Sequence, residues 1–391
     1  MSSVTDWEAT NPVKENRSGL IGKPVDRYEG PLKVTGTAPY AYEVAPPSPP
    51  LYGVLVTAAI ARGRIADIDT AAAQAAPGVR LVWTHRNVPA QGVRPPNANF
   101  FAPNPNPALT SDRVDFFGQP VAVVVADTFE NAVAAAALVT LRYEVEEPLA
   151  DFHAHLDEAV DPPGEADVEI GDFAGGLAAS PVTLDETWRT PLQNHCQMEP
   201  HASTAWWEGD KLTIHTSVQM VRMTQIGLAQ TLLIPPENVH LLTRYIGGGF
   251  GGKGSFYEDM VLAALASREL GRPVKLALTR QQMMHATVHR PATQIRVRLG
   301  ATPDGRLTAL SLMTHTHCDR KGTFTEHASN FARSLYAAPN RLTGHRLLHM
   351  DLPVASAMRA PGEASGTLSL ECAMDELAEK LGMDPMELRI L

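Results

Sequence analysis

At 391 residues the chain is long enough for two or three domains and a substantial core. Its formal charge of -10, with no compensating basic block, argues against a nucleic-acid partner. No apolar run approaches a membrane span, and the polar start, residues 1–16, lacks the features of a secretion signal. A cytoplasmic protein without membrane association is expected, the alternative being periplasmic, exported with a partner. The three cysteines, Cys196, Cys318 and Cys372, are odd in number and far apart. They offer neither a disulfide framework nor an iron–sulfur ligand set.

In chain order, a polar lead-in occupies residues 1–23 and a first folded unit residues 24–151. Within it, the proline- and asparagine-rich loop 95–107 carries Phe100 and Phe101. Their side chains either line a funnel or partner interface or, more simply, pin the loop to the core. The unit ends in a β-α-β-like passage: an apolar strand over 121–125, an alanine-rich helix over 129–137 and a strand over 139–145. Residues 152–181 read as a linker, acidic and Gly/Pro-containing from 157 to 172, crossing the surface. The second unit runs over 182–391, and no internal repeat is present.

The second unit contains a strand-like passage over 212–220 that includes Gln219, and another over 239–246. There follow Gly247-Gly248-Gly249-Phe250-Gly251-Gly252-Lys253 and a helix beginning near Ser255. In that helix Tyr257, Val261 and Leu265 share a face, Glu258 and Asp259 occupy the first turn, and Gly271 and Pro273 close it. A strand over 273–278 comes next. Five glycines around one aromatic cost backbone entropy, so something requires a bare main chain, and unpaired amides at a strand–loop–helix junction suit an anion.

Three readings fit the glycine run. Gly247, Gly249 and Gly252 match the dinucleotide fingerprint, but the next strand ends in Thr279-Arg280 instead of an acid; Arg280 would suit an NADP phosphate. Gly247, Gly252 and Lys253 nearly form a P-loop, but Gly254 stands where the magnesium-binding hydroxyl belongs. A structural turn rarely needs so many glycines. A cofactor-facing loop is favoured.

Other residues invite chemical readings. Gln219 can both donate and accept, towards a ligand or within the core. Arg359, among small residues and before Pro361-Gly362, presents a guanidinium fork to a phosphate, or forms a surface ion pair. Glu199, between Met198 and Pro200, reads as a base of raised pKa or, more simply, as a cap or buried ion pair. Lys253 complements a phosphate or is solvated. The pairs His153/His155, His315/His317 and His285/His289 lack a Cys or carboxylate at ligand spacing, so no metal held by protein side chains is expected. No G-x-S-x-G element is present.

Taken together, several segments resemble the molybdenum-binding subunit of the xanthine dehydrogenase and aldehyde oxidoreductase family. They are residues 247–253, Met358-Arg359-Ala360-Pro361-Gly362-Glu363-Ala364, Met198-Glu199-Pro200-His201, Gln219 after its Thr-Ser, residues 373–378 and 383–385, and upstream Asp26-Arg27 and residues 33–36. The resemblance covers residues 24–391. It implies an α+β protein with an α/β hammerhead domain followed by the first part of a molybdopterin cofactor-binding domain. It also implies a molybdenum–molybdopterin cofactor in dinucleotide form, with iron–sulfur clusters and FAD on partner subunits. The metal is then held by the pterin's sulfur atoms. Gln219 would hydrogen-bond its oxo group, Gly249, Phe250 and Gly251 would approach metal and pterin, and Arg359 would lie against the cofactor. The implied reaction is hydroxylation by water of an aldehyde, aromatic ones especially, or an N-heterocycle.

Two departures qualify that picture. The family's catalytic glutamate and further pterin-wrapping loops belong to a second half that this sequence lacks. Asp384 and Pro385 begin a helix of barely two turns before Leu391. The expectation is an N-terminal half, truncated, frame-shifted or split, with the C-terminal half as partner and little activity alone. Purine-oxidising members usually carry an acid after the loop lysine; Gly254 favours aldehydes over xanthine. Arg333 is a minor candidate for a substrate-facing arginine. The alternatives are a non-catalytic cofactor-binding or assembly module and an NADP-dependent dehydrogenase.

Overall fold

The apolar run expected as a strand over 121–125 is observed as Pro120–Ala126 and is buried along its whole length. Burial on both faces marks the interior of a sheet. In the computed structural model, which describes residues 15–92, 107–254 and 257–391, that sheet has seven strands. Their order is Val239–Leu242, Lys211–Thr216, Ala202–Glu208, Val274–Ala277, Leu51–Thr57, Pro120–Ala126 and Val79–Thr84. Phe100, Phe101, Ser255 and residues 1–14 of the lead-in lie outside the described residues. Strands from 24–151 and from 182–391 are joined here by parallel pairing of Leu51 with Val274 and Gly53 with Leu276.

The helix after Pro120–Ala126 spans Phe129–Ala136, its N-terminus capped by the Thr128 side chain accepting from the Asn131 N–H. The strand beyond it, Thr140–Val145, belongs to a different, three-stranded sheet with Gly63–Asp69 and Arg113–Val114. The passage is therefore strand–helix–strand in sequence but not a β-α-β unit in one sheet. The two strands differ physically: the first is apolar throughout, whereas the second is exposed or half-buried along its length.

A five-stranded sheet has the order Val168–Ile170, Asn340–Met350, Leu307–Asp319, Thr293–Ala301 and Val182–Thr190. The helix Glu363–Leu381 covers it, burying Leu370, Ala373, Met374 and Leu377 with Ile295, Val297, Leu299 and Leu310. Residues 157–172 do run over the surface, as expected of a linker, but as a docked segment instead of a free connector. Val168–Ile170 pairs with the edge of this sheet, Asp167 makes a paired contact with Arg346 (2.8 Å to each nitrogen), and Glu165 holds His327 at 2.6 Å. Among the acids that suggested solvent, Glu165 and Asp167 dock the segment. The last helix, Pro385–Ile390, is capped by Asp384. It packs back on Glu363–Leu381 through buried Leu388 and a 2.7 Å Arg389–Glu371 ion pair. Its support comes from the element before it. Among the described residues no helix is long and apolar enough to cross a membrane.

Two strands are shorter than their sequence patterns. Lys211–Thr216 and Val239–Leu242 stop well short of 220 and 246. They run parallel, with Leu212 opposite Val239, so both release their chains at the same end of the sheet. The antiparallel Ala202–Glu208 begins there, since Ser203 faces Thr216, and Val274–Ala277 ends there, since Ala202 faces Ala277. Four segments thus converge on one edge.

Candidate functional site

The glycine run leaves this edge and is held by side chains instead of a strand partner. Gln219 lies in the loop after Lys211–Thr216, not in a strand. Its Oε1 accepts from the Gly251 N–H (2.9 Å) and the Lys253 N–H (3.2 Å), while its own N–H donates to the Lys253 carbonyl (2.7 Å). A carbonyl oxygen must face those donors, so the NH2 group is turned the other way. The residue is exposed, which excludes the paired core amide. A Cβ on Gly249 would lie 2.6 Å from both Cδ and Oε1 of Gln219, so only glycine lets that amide lie against the loop. Phe250, half-exposed at 46%, has φ 55, and Gly251 has φ 99. A non-glycine residue in the left-handed region costs on the order of 1–3 kcal/mol and persists only where its surroundings over-determine it.

Beneath the loop, Lys253 has no exposed side-chain surface. Its Nζ lies 2.8 Å from Glu199 Oε2, which also accepts from the Gly247 N–H at 2.7 Å. Burial pushes the Lys253 pKa down, and the Glu199 carboxylate opposes that shift. Lys253 is therefore neither solvated nor a phosphate ligand, and Glu199 is the anchor of a buried ion pair instead of a base. The P-loop reading falls with it. The NADP reading falls because Arg280 is occupied, donating to the carbonyls of Gln197 and Met198. His201 Nε2 and the Tyr257 hydroxyl both donate to the Gly252 carbonyl. Burial holds the His201 pKa down to about 3, so the ring is neutral.

The segment around Arg359 closes over the loop. The Arg359 N–H donates to the Phe250 carbonyl (2.8 Å), and His195 Nε2 donates to the Ala357 carbonyl (3.0 Å). A Cβ on Gly251 would sit 2.2 Å from that same Ala357 oxygen. The Arg359 side chain is exposed and, among the described residues, has no acidic partner, so the surface ion pair is not formed. Arg333 instead donates to Thr343 in the five-stranded sheet, at 2.9 Å. No group of three His, Cys, Asp or Glu among the described residues could hold a metal. Gln219, Gly249, Phe250, Gly251 and Arg359 thus share one connected hydrogen-bonded unit. The residues beneath it, His195, Arg290 and Glu326, carried no sequence signal. His201 had one, as the end of Met198-Glu199-Pro200-His201.

The outward face of this unit offers an amide NH2, glycine main chain and a free guanidinium. That donor set fits an anionic, phosphate-bearing group. The family profile of the molybdopterin cofactor-binding domain matches residues 155–391, and that of the aldehyde oxidase and xanthine dehydrogenase a/b hammerhead domain matches residues 35–147. The chain belongs to the aldehyde oxidase and xanthine dehydrogenase family. The aldehyde oxidoreductase molybdenum-binding subunit of Escherichia coli K12 is 46% identical over 384 residues, covering 97% of this chain and 51% of that protein. The nicotinate dehydrogenase large molybdopterin subunit of Eubacterium barkeri is 26% identical, covering 95% of this chain and 89% of that subunit. Among solved structures, the aldehyde oxidoreductase of Desulfovibrio gigas superposes with a TM-score of 0.84 at 29% identity, covering 94% of this chain and 43% of that one. The chain spans about half the length of its E. coli relative. The α+β architecture, a hammerhead followed by a molybdopterin-binding domain, is as the resemblance implied.

Proposed function

We propose that this chain is the molybdopterin-holding part of an oxidoreductase that hydroxylates an aldehyde with water, passing electrons to iron–sulfur and FAD partner subunits. The observation that carries this reading is the Gln219 amide, clamped through its oxygen and presenting its NH2 beside Phe250, Gly251 and the Arg359 turn. When bound, molybdopterin supplies the two-electron redox chemistry that no side chain in this unit can supply. The chain's own residues bind and orient. The Arg359 fork takes the pterin or its phosphate, and a dinucleotide form of the cofactor is part of the proposal. The glycines let main chain approach closely, and preorganised donors such as the Gln219 NH2 stabilise oxygen-centred charge without reorganising during reaction. Glu199 ties the two ends of the glycine run together, accepting from the Gly247 N–H and pairing with Lys253.

Aldehydes are favoured over purines because Gly254, buried after Lys253, offers no carboxylate to a purine. Both the E. coli relative and the D. gigas structure are aldehyde oxidoreductases, which supports the same reading. A C-terminal half carrying the general base completes the proposed enzyme. The test is dye-linked oxidation of benzaldehyde and of hypoxanthine by the assembled complex. Turnover of the aldehyde that is lost in Gln219→Ala supports the assignment, and turnover of hypoxanthine alone contradicts it.

A further inference from the structure

The turn that carries Arg359 is held from below by Arg290, in the two-residue strand His289–Arg290. The Arg290 side chain is only 6% exposed. Its Nη2 donates to three consecutive carbonyls, those of Met358 (2.9 Å), Arg359 (2.7 Å) and Ala360 (3.0 Å). Its Nε lies 3.1 Å from Oε1 of Glu326, a carboxylate with no exposed surface. That same oxygen accepts from the Gly362 N–H (2.8 Å) and the Ser365 hydroxyl (3.3 Å).

Three successive carbonyls do not converge on one point in a helix or strand, where peptides align or alternate. Here the chain bends through Ala360 at φ 59 and Gly362 at φ 82, and a Cβ on Gly362 would meet the His327 carbonyl at 2.6 Å. A left-handed alanine is costly and needs a partner that rewards the bend. Arg290 is that partner. On its other side the same turn meets the glycine loop through the bond from the Arg359 N–H to the Phe250 carbonyl.

We propose that Arg290, with Glu326 as counter-ion, is a positioning residue that sets the Arg359 turn against the Phe250 loop and fixes both cofactor-facing segments in register. The proposal rests on the molybdopterin reading above. A lysine keeps the charge, but a single ammonium cannot span the carboxylate and the three carbonyls that the guanidinium reaches with separate nitrogens.

The test is Arg290→Lys in the full chain, co-produced with the C-terminal half of its E. coli relative in cells that make molybdopterin. Amide hydrogen exchange is read at 359 and 362, and molybdenum and pterin are measured per chain. Exchange at those two amides should rise about tenfold while the five-stranded sheet stays protected. Retained cofactor should fall about fivefold, and the double variant Arg290→Lys/Arg359→Ala should lose no more than the worse single variant, since both act through one turn. Wild-type exchange at 359 and 362, or additive cofactor losses, would overturn the proposal. If Arg290→Lys does not fold, Glu326→Gln decides. It keeps the acceptor for Gly362 and removes the counter-charge, so unchanged exchange at those amides overturns the proposal. A wild-type complex without cofactor, with exchange still raised in the variant, would sink the molybdopterin reading and leave the positioning of the turn standing.

Discussion

The five-stranded sheet and the glycine loop satisfy their backbones in different ways. In the sheet, Thr293–Ala301 is paired along its length on both sides, so main chain satisfies main chain and side chains such as Ile295, Val297 and Leu299 only pack. In the loop and its facing turn, side chains add to a few main-chain bonds such as that from the Arg359 N–H to the Phe250 carbonyl: Gln219 serves Gly251 and Lys253, Glu199 serves Gly247, His201 serves Gly252, His195 serves Ala357, and Arg290 serves three carbonyls. Main chain left open to a ligand on one face needs a layer of buried polar groups beneath the other. Damage in the sheet should therefore scale with lost volume, and damage at the loop with lost partners.

The largest effect expected from that contrast is at Lys253. Lys253→Met leaves the Glu199 carboxylate without its counter-ion and should cost about 3 kcal/mol in denaturant unfolding. That is comparable to a Leu299→Ala cavity in the sheet, although little apolar volume changes. A cost below about 1 kcal/mol, the range of exposed pairs, would place the loop's support elsewhere.

Next come two glycine-to-alanine changes that separate the regions. In Gly249→Ala the new methyl would collide with Gln219 Cδ and Oε1 at 2.6 Å, and the loop must shift. In Gly53→Ala the methyl would meet the Leu276 side chain, at 3.1 Å from Cδ1 and 3.3 Å from Cγ, with no main-chain atom in the way. The first should lower molybdenum content about tenfold at near wild-type stability. The second should change the melting temperature by a few degrees, about 1 kcal/mol, and leave cofactor content intact. Equal effects on cofactor content would erase the distinction.

The smallest effect is in pH dependence. His201 is held to about 3 by burial against an ordinary 6.5, so between those values the unfolded chain binds more protons and stability falls as pH drops below 6.5. Asp259, buried and donated to by Ser203, is raised by desolvation to about 6 from 3.8. There the folded chain binds more protons, so stability falls as pH rises from about 4 to 6. His201→Gln should flatten the acid loss of melting temperature between pH 6.5 and 4.5, whereas Asp259→Asn should steepen it. The same sign for both variants would mean that these groups are not buried in solution as described.

Much of this was legible in the chain, unevenly. The run 120–126, the helix ending at Gly271 (φ 59) and the glycine loop announce themselves through local composition. The loop's partnership with Arg359 came from resemblance, not from any local pattern. Strand ends were overestimated because Gln219 gives its N–H to Lys253 and Oε1 to the loop, a tertiary choice that apolar alternation does not record. Sheet membership of Thr140–Val145 and docking of 157–172 were missed for the same reason: strand partners and ionic partners are distant in sequence. Arg290 meets its carbonyls 68 to 70 residues away and His195 its carbonyl 162 away. Nothing beside either residue reveals that it supports a site.

The most direct measurement is molybdenum and pterin content per chain, for the protein purified alone and after co-production with the C-terminal half of its E. coli relative. Near-stoichiometric cofactor is expected in the co-produced complex, reduced by Arg359→Ala and by Gly249→Ala. Absence of both molybdenum and pterin under either condition would contradict the assignment of this loop and turn as a molybdopterin site.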